Sequence, residues 1–195
     1  MRPVKQGKAA EERAFVAFGA NLESPVGPPR KTFTEALKAL QLRGIRIVAQ
    51  SALYQTPCFP AGAGPDFVNA VIEVAPEVSP EKLLEILHAV ENSLGRERVS
   101  RWAGRTCDLD VLAYGARILP NGPQFEYWRD LPPERQVVDA PDRLILPHPR
   151  LQDRAFALIP LADIAPDWLH PVSGLTVTQM LSHLSEDEKR GVKPL

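Results

Sequence analysis

The chain has 195 residues, 44% of them hydrophobic, and a formal net charge of −1 from 23 Lys and Arg against 24 Asp and Glu. That length and apolar content can bury one substantial core, and the balanced charge excludes a global pull toward nucleic acid or an anionic membrane, so any polyanion site has to be local. Two cysteines, Cys58 and Cys107, are too few for a disulfide framework or a paired-cysteine zinc site, and no stretch nears the roughly 18 apolar residues of a spanning helix, so a cytoplasmic chain is expected.

Residues 1–13 are basic and polar and read as a disordered N-terminal extension to a single domain spanning 14–195. Ala14 to Phe18 is a short apolar run closed by Gly19, the pattern of a buried strand. Phe33, Ala36, Leu37 and Leu40 recur at helical spacing over 30–42. Residues 45–53 alternate as a strand with one wetter face, and 67–74 repeat that pattern. Ser79 and Pro80 form an N-cap and first-turn pair ahead of the stripe Leu83, Leu84, Leu87, Val90 and Leu94, which ends at Gly95. Cys107 to Tyr114 gives a fourth strand. The proline-rich stretch 120–141 predicts a long loop inserted in the domain, followed by helices over 153–164 and 178–184. Strand, helix, strand, strand, helix, strand predicts an α+β, ferredoxin-like βαββαβ antiparallel sheet with helices on one face and C-terminal helices added to it. Such a fold hosts many functions, so chemistry has to be read from the residues.

Arg105-Thr106-Cys107-Asp108-Leu109-Asp110 is the sharpest feature. Residues two apart on a strand share a face, so Asp108 and Asp110 present their carboxylates together while Leu109 and Val111 turn into apolar packing. Alone, such a pair is as readily a solvated strand end; as hard oxygen ligands it suits Mg²⁺ with substrate phosphates. Just upstream lie Arg96, Arg98, Arg101 and Trp102, and arginines beside paired carboxylates fit a metal-bound polyphosphate as well as a solvated basic loop. Prolines on both sides hold His148 extended in Leu146-Pro147-His148-Pro149-Arg150, ahead of Arg154 and Phe156, where it can donate to a phosphate or serve structure. Tyr54-Gln55-Thr56-Pro57-Cys58-Phe59 precedes Asp66-Phe67-Val68-Asn69; an aromatic face plus an amide suits a flat heterocycle, and Phe67 and Asn69 share a strand face. Taken without context, a core role for Phe67 and a strand-end role for Asn69 fit those two better.

Taken in order, FGANL (18–22), YQTP (54–57), DFVNAV (66–71), ENSLGRERVSRWAGRTCDLDVLAYG (91–115) and LPHPRLQDRAFALIPLADIAP (146–166) resemble the 6-hydroxymethyl-7,8-dihydropterin pyrophosphokinase family. The resemblance implies diphosphate transfer from ATP to the pterin hydroxymethyl group with release of AMP, Asp108 and Asp110 holding two Mg²⁺ ions, and Arg98 and Arg101 joining them as catalytic residues. It implies ATP contacts from His88, Glu91, Arg98, Arg101, Trp102, Arg105, Val111, His148 and Arg154, and a pterin pocket of Thr56, Pro57, Phe59, Phe67, Asn69 and Phe156. A monomer with no nucleic-acid or membrane partner is expected, and residues 96–104, charged and poor in apolar anchors between Gly95 and Gly104, are expected to form a lid that orders over ATP. Ala20, Cys58, His88 and Ala103-Gly104 depart from the family's commoner Ser, Pro, Gln and Gly-Pro. A nucleotide-sensing module without turnover, or a kinase releasing ADP, would use similar residues.

Overall fold

The computed structural model describes residues 12–58, 62, 64–96 and 104–195. The first strand, β1 (Ala14–Ala20), continues through Gly19 instead of stopping at it. It leads to α1 (Pro29–Leu42), which buries Phe33, Ala36 and Leu40 at the predicted spacing. The strand expected over 45–53 is shorter, β2 (Arg46–Gln50), and after a break comes a strand the pattern did not show, β3 (Tyr54–Thr56), both lying end to end along β4 (Phe67–Ala75). The break has a physical cause. The register shifts between Ile47 and Ala49, and at Ser51 a side chain takes over half of the pairing with Val71: Ser51 N donates to Val71 O, but it is Ser51 Oγ that accepts from Val71 N, each at 2.9 Å.

Ser79 caps α2 (Pro80–Ser93) by accepting from Lys82 N at 3.2 Å, and Leu83, Leu87 and Val90 are buried on one face. β5 (Asp108–Tyr114) completes the sheet by pairing with the free side of β1. All these neighbours are antiparallel, in the order β5, β1, β4, then β2 and β3, which is the βαββαβ arrangement predicted.

Alternation along β1 divides the core. Ala14, Val16, Phe18 and Ala20 pack with residues of α1 and α2, whereas Phe15 joins a second cluster on the opposite face. That second cluster belongs to α5 (Ala155–Ile164) and α6 (Val177–His183), so the C-terminal helices cover the face that the βαββαβ unit leaves bare.

The expected loop over 120–141 contains two helices, α3 (Gly122–Arg129) and α4 (Pro133–Val138). Pro123 and Pro133 fall in first turns, where they start helices rather than prevent them; Asn121 caps α3 by accepting from Gln124 N at 3.0 Å, and Phe125 is fully buried. Leu119 and Leu146 exchange two backbone hydrogen bonds, of 2.9 and 3.1 Å, and pinch the insertion at its base. A 3₁₀ turn (Leu151–Asp153) delays α5 to Ala155, and α7 (Glu186–Arg190) and a short strand β6 (Lys193–Pro194) close the described chain. Among the described residues no helix is long and apolar enough to cross a membrane.

Candidate active site

α2 and β5 together position the acidic centre. α2 ends in a Schellman closure: Gly95 N donates to Asn92 O and Arg96 N to Glu91 O, at 3.2 and 3.1 Å. Gly95 sits at φ +80°, and a Cβ there would lie 2.5 Å from Pro25 Cδ, so only glycine fits. The closure folds Arg96 back so that its guanidinium pairs with Glu91 and, at 2.6 Å, with Asp108 Oδ1. Arg105 pairs with the other oxygen of Asp108. Glu91 is fully enclosed and accepts from Leu109 N at 2.7 Å, tying α2 to the outer edge of β5. Burial drives its carboxyl up to about 7, against the opposing pull of the Leu109 amide and Arg96. Asp108 is also raised, first by burial and then by the like charge of Asp110, while Arg105 and Arg96 oppose the shift.

Strand register then brings distant residues into one row. Gly19 of β1 is paired with Asp108 on one side and Asn69 on the other, and Asn69 is paired in turn with Tyr54. With strands about 4.8 Å apart, Asp108 and Asn69 stand about 10 Å apart across a residue with no side chain. A Cβ on Gly19 would meet Asn69 Oδ1 at 3.2 Å, with Asp108 Cβ and Phe67 Cδ1 each at 4.0 Å. Asn69 and Thr56 are both buried, and Asn69 Nδ2 donates to Thr56 Oγ1 at 2.7 Å. Phe67, paired with Thr56, is half-buried beside them.

The N-terminal end of α5 borders this row. The register shift on β5 leaves Leu112 without a β1 partner, and its carbonyl accepts from His148 N at 2.7 Å. His148 Nδ1 accepts from Arg150 N at 3.1 Å, which puts the ring proton on Nε2, 3.4 Å from Arg154 Nη1. Two donors facing each other at that distance call for a shared acceptor. Burial and then the charges of Arg154 and Arg150 hold His148 well below the usual imidazole range. Burial likewise lowers Arg154, offset chiefly by Asp110. Arg154 lies over the Phe156 ring, 5.6 Å from its centroid, and Phe156 is exposed on the first turn of α5.

The predicted residues are thus brought together with some redistribution. Val111 turns its side chain into the core, so only its main chain can meet a ligand; Leu109 donates from the outer edge of β5, and the period of two puts the peptide groups of Val111 on that edge. His88 is half-buried on the same face of α2 as Glu91. Arg98, Arg101, Trp102 and Phe59, and most of the proposed lid, lie outside the described residues. Arg96, read from sequence only as part of a basic run, joins the acidic centre directly. Two participants are missing from the sequence-based set, Gly19 and Asn21, the latter with a buried amide that accepts from Arg105 N at 2.8 Å and donates to Pro65 O at 3.1 Å. A glycine inside a strand pattern was the available signal for the first.

Residues 15–166 match the family described as 7,8-dihydro-6-hydroxymethylpterin-pyrophosphokinase (HPPK). A 2-amino-4-hydroxy-6-hydroxymethyldihydropteridine pyrophosphokinase of Haemophilus influenzae is 34% identical over 182 residues, covering 93% of this chain and 98% of its own. One from Pseudomonas aeruginosa is 40% identical over 158 residues, covering 80% and 82%. Among solved structures, an HPPK-DHPS crystal structure in complex with substrates superposes with a TM-score of 0.67 at 13% identity, a likeness of fold. That match covers 95% of this chain and 46% of the other, so the chain spans about half of the HPPK-DHPS polypeptide.

Proposed function

The chain belongs to the 7,8-dihydro-6-hydroxymethylpterin-pyrophosphokinase family, and on that premise we propose that the row Asp108, Gly19, Asn69 is the line along which its two substrates meet. The enzyme transfers diphosphate from ATP to the hydroxymethyl group of 6-hydroxymethyl-7,8-dihydropterin, a step of folate synthesis.

In this reading the pterin lies over Gly19 with its edge read by Asn69, which Thr56 holds in orientation, and with Phe67 against its ring. The bare backbone at Gly19 allows that approach. ATP lies on the α2–β5 side. Arg96 and Arg105 neutralise phosphate charge, and the paired donors His148 Nε2 and Arg154 Nη1 share a phosphate oxygen between them. The outer edge of β5 at Val111 offers main-chain groups to the base. Glu91 is too enclosed to touch the nucleotide; its role is to fix Arg96 and the β5 edge. The pterin hydroxymethyl oxygen attacks the β-phosphorus in line and AMP departs, so positioning and charge neutralisation carry the rate and no strong base is required.

Mg²⁺ fits the residues present. Asp108 and Asp110 offer hard oxygens on one strand face, the like charge of each disfavours ionisation of Asp108, and a cation relieves that conflict. No third His, Cys, Asp or Glu joins them among the described residues, so phosphate oxygens and water would complete the coordination. When bound, Mg²⁺ supplies charge neutralisation on the triphosphate. A cytoplasmic monomer belongs to the same proposal; for the location, Cys58 and Cys107 form no disulfide, which suits a reducing compartment.

The single observation carrying the reading is that Gly19 sits between Asp108 and Asn69. Incubation with ATP, Mg²⁺ and the hydroxymethyl dihydropterin should give AMP as the nucleotide product on chromatography. ADP, or no nucleotide conversion, overturns it.

A further inference from the structure

β3 is three residues long, yet it carries Thr56, the hydrogen-bond partner of Asn69. So short a strand has few ladder bonds of its own, and β4 supports only one side of it. The other side is taken by β6, which pairs Pro194 with Tyr54 and Lys193 with Gln55. Leu195 N donates to Leu53 O at 2.9 Å, which makes the adjoining Tyr54–Pro194 pair the non-hydrogen-bonded kind, where proline's missing N–H costs nothing. Just before β6, a Cβ on Gly191 would stand 3.5 Å from Pro57 Cδ, so the tail also touches the residue that follows Thr56.

Val192 packs against the second core cluster, and away from it the tail stands off from the loop ahead of β4. A cavity of about 310 Å³ separates it from the loop ahead of β4, with Gln55, Pro57 and Asp66 lining one side and Asp187, Arg190 and Gly191 the other. Against this side of the site the contact is therefore backbone pairing plus one glycine against one proline, aimed at β3 and not spread over the loop. α7 is set by its own capping box, in which Ser185 and Glu188 satisfy each other's backbone amides, so the tail leaves the body of the protein at a fixed angle.

We propose that β6 is a positioning element for the pterin half of the site: it holds β3 from its open side, so that Thr56 keeps Asn69 in the orientation that reads the pterin edge. The inference rests on the function proposed above. It makes a split prediction, because the ATP side is built from α2, β5 and the start of α5, whereas β3 reaches α5 at its far end, where Tyr54 Oη donates to Asp163 at 2.9 Å.

Leu195→Pro removes the one N–H donated to Leu53, while Leu195→Ala keeps that N–H and trims an exposed side chain. Calorimetric titration of Leu195→Pro should show pterin affinity weakened about fivefold or more, with affinity for a non-hydrolysable ATP analogue held within about twofold. In turnover, the pterin KM should rise while kcat at saturating pterin persists, and Leu195→Ala should behave as the unsubstituted protein. A chain shortened by residues 193–195 should give the same split. Unchanged pterin affinity in both Leu195→Pro and the shortened chain overturns the proposal, as do equal losses for the two ligands or equal losses in Leu195→Pro and Leu195→Ala. Failure of the unsubstituted protein to form AMP is a different result, and it would strike the proposed function instead.

Discussion

Asp108 and Asp110 share a face of β5 but not a set of partners. Asp108 is held by Arg96 and Arg105, so Asp108→Ala strands two guanidiniums that are largely withdrawn from water and should lower stability by roughly 1 to 3 kcal/mol as well as abolish turnover. Asp110→Ala removes the charge that chiefly offsets the burial of Arg154, so it should lower the melting temperature as well as cut turnover by about a thousandfold or more, and an active Asp110→Ala would remove the metal assignment. On the pterin side, Asn69→Ala should weaken pterin binding by roughly 1 to 3 kcal/mol in a calorimetric titration that leaves ATP affinity unchanged. Gly19→Ala tests the geometry separately. Its Cβ would press Asn69 Oδ1 at 3.2 Å, and a loss of about 1 kcal/mol in pterin affinity is expected without removal of any hydrogen-bonding group. What the sequence made legible at this scale follows from local rules. Asp108 with Asp110, and Phe67 with Asn69, are period-two pairs on one strand each. That Gly19 unites the two pairs depends on cross-strand register between residues far apart in sequence, which no local pattern encodes.

At the scale of elements, the termini of helices matter more than their middles. The stripe of α2 was readable from its spacing, and Gly95 as its stop, but the consequence of the stop was not. The Schellman closure sends Arg96 back onto Glu91 and Asp108, so a C-cap glycine sets the geometry of the acidic centre. Gly95→Ala would meet both a left-handed backbone and Pro25, and should cost about 2 kcal/mol or more in thermal unfolding. Because Arg96 moves with it, kcat should fall further than the loss of folded protein accounts for, which activity per folded molecule at a low temperature would measure. The insertion over 120–141 shows the opposite failure of local reading. Proline density suggests a loop, yet proline at a first turn is compatible with a helix, and α3 buries Phe125 completely. Charge and proline content masked a single large apolar anchor.

Across the whole molecule, a line of ring contacts runs from the insertion to the sheet. Phe125 of α3 packs on His170, His170 on Trp168, and Trp168 edge-on against Phe15 of β1, with centroid separations of 5.8, 5.8 and 5.7 Å. His170 is the polar link in that line and is 2% exposed. Its Nδ1 accepts from Val172 N and Ser173 N, so the neutral ring carries its proton on Nε2, a buried atom with no hydrogen-bond partner among the described residues. Protonation would place a charge on Nδ1 against two N–H donors, in an apolar setting and beside Arg129. Burial, and then Arg129, accordingly lower His170 from 6.5 to about 4. The unfolded chain therefore binds a proton that the folded one refuses over this interval, and stability must fall as pH drops. The contribution is fully present above about pH 6.5 and is lost progressively toward pH 4, on the order of 2 kcal/mol in all. His170→Asn retains an acceptor for the Val172 and Ser173 amides but does not titrate. Carboxylates elsewhere titrate alike in both proteins, so the difference between their denaturant midpoints isolates His170. The unsubstituted protein should lose stability relative to His170→Asn between pH 6.5 and 4 and run parallel to it above pH 7; parallel curves throughout would mean that the ring is protonated in the folded protein without penalty.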